Sequence, residues 1–122
     1  MATKEEMKRA YKEAPKQAGV FTITNTVEGK VFLGKAMNLH GPLNRHRFQL
    51  EMGMHPNRGL QADWKRLGAD AFTFEIAEVV RIKDTPGFDL EEELLLLESV
   101  WVEKLKPFGA RGYHQEKDFK KP

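Results

Sequence analysis

The sequence of 122 residues contains no cysteine, which excludes disulfide bonds, thiolate nucleophiles and zinc sites built on sulfur. It also lacks any apolar run approaching the roughly 20 residues of a membrane span, so we predict no membrane partner. The charged N-terminus has no apolar core of a secretory signal, and the expected location is therefore cytoplasmic. What remains is a single globular domain that is large enough to bury a modest core.

The net charge is also small, but its distribution along the chain is uneven. The formal value is +2, which does not indicate nucleic-acid binding by itself. Residues 30–70 hold seven lysines and arginines against three acids, and residues 104–122 hold six against two. Residues 84–103 hold seven acids and no base. Such a bipolar chain could present a basic surface to phosphate groups, or the charges could be solvated helix faces.

Three β-strands are predicted from the spacing of apolar and turn-forming residues. Two β-rich runs, Gly19–Thr26 and Lys30–Gly34, flank the turn residues 27–29 and predict a hairpin. Gly29 supplies the positive φ that a tight hairpin turn often needs. A third strand is expected at about 71–80, where apolar and other residues alternate.

The first helix after the hairpin should occupy about residues 42–52, with a proline in its first turn, where the missing N–H has no helical partner. We expect Leu43, Phe48 or Arg47, and Leu50 on or near its core side. This face would pack the helix against the sheet.

Two further helices carry recognisable end signals. Asn57 can cap the second helix, and Gly68 is expected to end it in the left-handed conformation. The last helix, Leu90–Leu105, begins at a capping box led by Asp89 and is expected to bury Val100.

The order of elements predicts an α+β domain with a small three-stranded, mainly antiparallel sheet flanked by helices, plus an extra N-terminal helix. We expect residues 1–17 to form that accessory helix, residues 18–115 the main domain, and residues 116–122 a basic tail. The accessory helix is predicted from apolar residues at helical spacing, namely Met7, Ala10, Tyr11 and Ala14.

Two tripeptides of the hairpin, Gly19-Val20-Phe21 and Phe32-Leu33-Gly34, resemble the paired signature of the GIY-YIG nuclease superfamily. The resemblance continues in order over roughly residues 18–115. Its later segments are Leu60-Gln61-x-Asp63-Trp64, Gly68, Phe72-x-Phe74-x-Ile76, Glu98-x-x-Trp101 and Gly112-Tyr113-His114. It implies a GIY-YIG-like fold and phosphodiester hydrolysis.

The resemblance also implies a site made of a tyrosine on each hairpin strand, an arginine, a glutamate and an asparagine. The hydroxyls would relay a proton, the arginine would pair with the phosphate, and the glutamate with substrate oxygens would suit Mg²⁺. Here Phe21 and Phe32 stand at the tyrosine positions, Pro42 at the arginine position and His114 at the asparagine position. Glu98 alone matches the pattern.

Nearby residues could replace the missing groups. Arg45 lies one helical turn beyond the arginine position and could reach the same phosphate. His46, His55 and His114 are candidate bases, since a neutral imidazole accepts protons near pH 7. His114 could also join Glu98 on a metal ion. Each histidine could equally be a surface or hydrogen-bonded residue.

Three hypotheses follow, and none of them predicts an oligomeric state. The first is a degenerate nuclease centre retained for binding nucleic acid, DNA rather than RNA. The second is a Mg²⁺-dependent DNA endonuclease rebuilt around Glu98, Arg45 and a histidine. The third is a protein-interaction module that uses the acidic helix face at 91–98 or the loop at 83–88. For the first hypothesis the predicted phosphate contacts are Lys35, Arg45, Arg47, Arg58, Lys65 and Arg66.

Overall fold

The structure, a computed structural model, describes residues 17–119. The expected N-terminal helix and the last three residues of the tail lie outside this range. The elements are β1 (Gly19–Asn25), β2 (Lys30–Ala36), α1 (Pro42–Glu51), α2 (Arg58–Leu67), β3 (Phe72–Val79) and α3 (Leu90–Leu105). The strand order is β2-β1-β3 with both pairs antiparallel, which confirms the predicted α+β sheet. Among the described residues, no helix is long and apolar enough to cross a membrane.

The hairpin turn between β1 and β2 is held by one buried side chain. The Asn25 carboxamide oxygen accepts hydrogen bonds from the backbone N–H groups of Val27 and Glu28, each at 3.0 Å. Gly29 has a φ of 73°, which confirms its predicted role. The turn sets a register in which Phe21 lies opposite Gly34.

The sheet is the middle layer, because each of its faces is covered by helices. On the α1 and α2 side, Ile23 packs with Leu50, Leu60 and Trp64. On the α3 side, the buried core residues are Val20, Leu33 and Leu94. Side chains that alternate along β1 and β2 therefore enter two different cores, and any group on these strands belongs to one face or the other.

The predicted caps of α2 and α3 are both present. The Asn57 side chain accepts a hydrogen bond from the backbone N–H of Leu60 at 3.0 Å. The Asp89 carboxylate accepts one from Glu92 at 3.2 Å. These side chains satisfy donors that have no partner within the helix and so fix where each helix begins.

Three expectations about individual residues are wrong. Phe48 is 57% exposed, because it lies on the opposite side of α1 from the buried Leu50, two residues and about 200° away. Val100 is 47% exposed, because α3 packs through the side that carries Leu94. Gly68 has a φ of 88° but a ψ of 162°, which is not the left-handed helical conformation. It leads directly into a short 3-10 turn before β3.

The segment after α3 returns to the hairpin. Lys106 ends the helix with a φ of 43°, and Gly112 forms a parallel bridge with Val31 of β2. The first tail residues are ordered, since Glu116–Asp118 form a 3-10 turn and Phe119 packs against the α3 core. This return places Tyr113 and His114 beside β2.

Candidate functional site

Phe21 and Phe32, which the sequence resemblance compares with tyrosines, lie on the α1 side of the sheet. Phe21 is 2% exposed, and its ring covers Gly34, where an added Cβ would clash with the ring. The ring centroids of Phe21 and Phe32 lie 5.3 Å and 5.4 Å from that of His46. Both strand positions therefore form apolar contacts with one imidazole of α1.

His46 is paired with a second histidine that the backbone orients. The carboxamide of Gln61 accepts a hydrogen bond from His55 N at 2.9 Å and donates one to Leu50 O at 3.1 Å, which holds the loop against α1. The backbone N–H of Asn57 donates to His55 Nδ1 at 3.0 Å. A neutral His55 therefore carries its proton on Nε2. That proton is donated to His46 Nδ1 at 2.8 Å.

Burial keeps both rings neutral at pH 7. It lowers the pKa of His46 to about 4, and the nearby His55 and the positive charge of Arg45 act in the same direction. Burial likewise lowers the pKa of His55. In these neutral rings, His55 Nδ1 and His46 Nδ1 each already accept a hydrogen bond, so the pair has no unused lone pair.

His114, which the resemblance compares with an asparagine, is also hydrogen-bonded. Its Nε2 accepts a hydrogen bond from Leu33 N at 2.9 Å, so the neutral ring carries its proton on Nδ1, 3.7 Å from an Asp118 carboxylate oxygen. Burial lowers the pKa of His114, and Asp118 opposes that shift in part. The ring centroid lies 4.7 Å from Phe32. The ring therefore packs in the core beside β2, and its lone pair is used.

Glu98 lies on the other face of the sheet. It is 6% exposed, and its carboxylate accepts a hydrogen bond from Lys35 Nζ at 2.9 Å. Lys35 shares the α3 face of β2 with Leu33, whereas Phe32 faces α1. Glu98 and the two phenylalanines thus face opposite sides of the sheet.

Two of the six predicted phosphate contacts are already paired with acids. Lys35 is bonded to Glu98. The Arg66 guanidinium pairs with Asp63 at 2.8 Å and also with Glu28. The charges of Lys35 and Arg66 are therefore already paired with acids of the same domain.

The other four basic residues lie on α1 and α2 with exposed side chains. The Arg47 guanidinium carbon lies 4.7 Å from the centroid of the Phe74 ring, which orients its charge over the sheet edge. Among residues 17–119, no salt bridge involves Arg45, Arg58 or Lys65. These helices therefore present cations that no described acid neutralises.

Two solved structures are similar to this chain, and both come from a GIY-YIG homing endonuclease. The catalytic domain of homing endonuclease I-TevI is 26% identical, with a TM-score of 0.62 over 79% of this chain and 95% of that chain. A point mutant of the catalytic domain of intron endonuclease I-TevI is 24% identical, with a TM-score of 0.59 over 74% and 84%. The chain has a GIY-YIG-like fold. No family model and no curated protein matches the sequence.

The GIY-YIG-like domain also contains a polar network that the sequence did not predict. Asn25 donates a hydrogen bond to the Tyr113 hydroxyl at 3.1 Å, and that hydroxyl donates to Asp63 at 2.8 Å. Burial opposes ionisation of Asp63, but the bonds from Arg66 and Tyr113 prevail and lower its pKa. The one signal in the sequence for this network is Asp63, an acid that lies within the apolar stripe of α2. The network ties the hairpin turn to α2 and to the returning C-terminal segment.

The side chains of residues 17–119 do not form a divalent-cation site on their own. One Glu98 oxygen already accepts the hydrogen bond from Lys35. Across the described part of the chain, no group of three or more His, Asp or Glu side chains converges in a way that could hold a metal ion. Glu98 is thus a single, ion-paired carboxylate in this GIY-YIG-like domain.

Proposed function

We propose that this GIY-YIG-like domain binds nucleic acid, DNA rather than RNA, and that its nuclease centre is degenerate. One contrast carries the proposal. The groups that would perform the chemistry are apolar or already bonded, whereas basic side chains on α1 and α2 have no described acid partner. The fold thus supports contact with phosphates better than their hydrolysis.

The proposed loss of catalysis follows from the groups at the site. Phe21 and Phe32 have no hydroxyl to relay a proton, and Pro42 has no cation to pair with a phosphate. The lone pairs of His46, His55 and His114 accept hydrogen bonds, so none is ready to take a proton from water. Loss of a proton-transfer group alone lowers a rate by about 10²–10⁴. Loss of a charge stabiliser lowers it by about 10²–10³.

The proposed binding surface consists of α1 and α2 with their exposed cations Arg45, Arg47, Arg58 and Lys65. Contacts from such side chains are mainly to phosphates, so binding should have little sequence preference and should weaken steeply with salt. The choice of DNA rests on the similar solved structures, which are domains of a homing endonuclease. Lys35 and Arg66 would contribute only after leaving Glu98 and Asp63.

Salt-dependent binding of a DNA duplex tests this surface. We expect Arg45→Glu/Lys65→Glu to weaken binding about 10- to 100-fold near 0.1 M salt and to lower the salt-dependence slope by about two. The matched control is Arg81→Glu/Lys83→Glu, which makes the same charge change at two exposed residues after β3. Equal weakening in both variants, or none in either, would remove α1 and α2 as the binding surface.

A second candidate is the Mg²⁺-dependent endonuclease rebuilt around Glu98, Arg45 and a histidine. It is favoured by one observation: Glu98 lines a cleft of about 360 Å³ together with Ser99 and Phe119. A substrate in this cleft would have to release Glu98 from Lys35 before the carboxylate could act. A cleavage assay with a Glu98 variant separates the two candidates.

A further inference from the structure

One aromatic side chain lies in solvent on the outer side of α1. Among the phenylalanines, tyrosines and tryptophans of residues 17–119, Phe48 alone is exposed, and it packs into neither core. Met52, one turn further along α1, is 57% exposed, and Met54, just beyond the helix, is 64% exposed. Clustered exposed apolar side chains of this kind mark a surface that contacts another molecule.

Cations lie at both ends of this apolar stripe, which consists of Phe48 and Met52. Arg45 precedes Phe48 by three residues and Met52 follows it by four, so all three share one side of the helix. Beyond Met52, Lys65 Nζ lies beside Gly53, 3.6 Å from where a Cβ would stand on that glycine. Within residues 17–119, neither Arg45 nor Lys65 forms a salt bridge.

The one acid of α1 lies to the other side of the aromatic ring. At about 100° per residue, Glu51 and Arg47 fall on one side of Phe48, whereas Arg45 and Met52 fall on the other. The stripe and its two flanking cations therefore form a track along which no acid of α1 intervenes. These cations select a polyanion rather than an apolar protein surface as the molecule that covers the stripe.

An exposed phenyl ring in a basic track suits a nucleic-acid strand with unpaired bases. The ring has no donor or acceptor with which to read the polar edges of bases, but its face can stack on a base. In an intact duplex, neighbouring base pairs cover both faces of each internal base. A ring therefore reaches a base face at low cost only where pairing and stacking are already interrupted.

We propose that the outer side of α1 recognises unpaired bases in DNA, with Phe48 stacking on one base and Arg45 and Lys65 contacting the phosphates on either side. This inference rests on the proposed function and names the kind of DNA that the surface prefers. The cations supply affinity for any DNA, whereas Phe48 supplies the preference for unpaired bases.

Two DNAs with the same number of phosphates separate stacking from charge. One is a fully paired duplex, and the other is a duplex of the same length with a short central run of mismatched bases. At one salt concentration, we expect the full chain to bind the mismatched DNA about tenfold more tightly, which is usual for one stacked base. Phe48→Ala should reduce this ratio of affinities to about one. Phe48→Trp, which keeps an aromatic face, should retain the preference.

A matched variant on the opposite side of the sheet controls for the loss of an exposed apolar side chain. Leu96 of α3 is 42% exposed, and Leu96→Ala should keep the wild-type ratio. Equal binding of the two DNAs by the wild type, or a preference that Phe48→Ala retains, would overturn this inference and leave the proposed DNA binding in place. Failure of the wild type to bind either DNA would overturn both.

Discussion

At the scale of single residues, apolar rings of the hairpin surround the histidines of this GIY-YIG-like domain. The ring of Phe32 contacts the rings of His46, His55 and His114. No hydroxyl is present at this position to bond with the imidazoles, so they bond to each other and to the backbone. The histidines thereby become part of the core.

The buried histidines predict a pH-dependent stability. The pKa of His46 in the fold is about 4, below its ordinary value of 6.5. The unfolded chain therefore binds the proton more readily, and stability should fall as the pH is lowered from about 6.5 towards 4. Between about pH 7.5 and pH 5 we expect His46 to account for about 1–2 kcal/mol of the loss, since the ring is only partly buried.

Urea unfolding at the two pH values measures this contribution. The His46→Gln variant should lose less stability on acidification than the wild type, by about that amount. The exposed Asn44 on the same helix provides the control, and Asn44→Gln, which removes no titratable group, should keep the wild-type dependence. If His46→Gln loses as much stability as the wild type, the ring does not titrate as its burial requires.

The sequence shows which residue types stand at the positions compared with the motif, but it does not show how their side chains are paired. Phe21, Phe32 and Pro42 are visible as departures from a motif. The ion pair between Lys35 and Glu98 joins residues 63 positions apart. Such pairings depend on tertiary packing, which no local pattern of residues encodes.

At the scale of elements, one residue, Asn57, links three parts of the site. The Asn57 carboxamide oxygen caps α2, and its amide donates a hydrogen bond to Tyr113 O at 2.9 Å. The backbone N–H of the same residue fixes the tautomer of His55. The start of α2 is therefore also the anchor of the C-terminal segment. Asp89, by contrast, caps α3 through a single bond to an exposed turn.

The two caps should differ in their effect on stability. We expect Asp89→Ala to lower the free energy of unfolding by about 1 kcal/mol, which is usual for a lost cap. Asn57→Ala should lower it by about 2–3 kcal/mol, because Tyr113 O also loses its donor. Asn57→Asp keeps the capping oxygen and should fall between them. Equal losses in both alanine variants would mean that the bond to Tyr113 contributes nothing.

The bounds of the elements could be predicted closely from the sequence, because prolines, glycines and capping residues mark them. The exposure of individual apolar side chains was harder to predict. Phe48 and Val100 are apolar residues on helices that have more of them than the core can bury. Which of these side chains stay exposed depends on which side of each helix packs against the sheet.

At the scale of the whole molecule, the sheet separates two surfaces of different charge. The α1 and α2 side carries the exposed cations and the neutral histidine pair. The α3 side carries the acidic helix and Glu98 with its lysine partner. The charge asymmetry seen in the sequence thus places exposed cations on one side of the sheet and the acidic helix on the other.

The most direct test of a degenerate nuclease centre is incubation of the protein with supercoiled plasmid and Mg²⁺ or Mn²⁺, beside a Glu98→Ala variant. We expect no nicking above background from either protein, at concentrations where both retard the plasmid in a gel. Nicking by the wild type that disappears in Glu98→Ala would contradict this. It would show that catalysis has been rebuilt around Glu98 without the two hydroxyls.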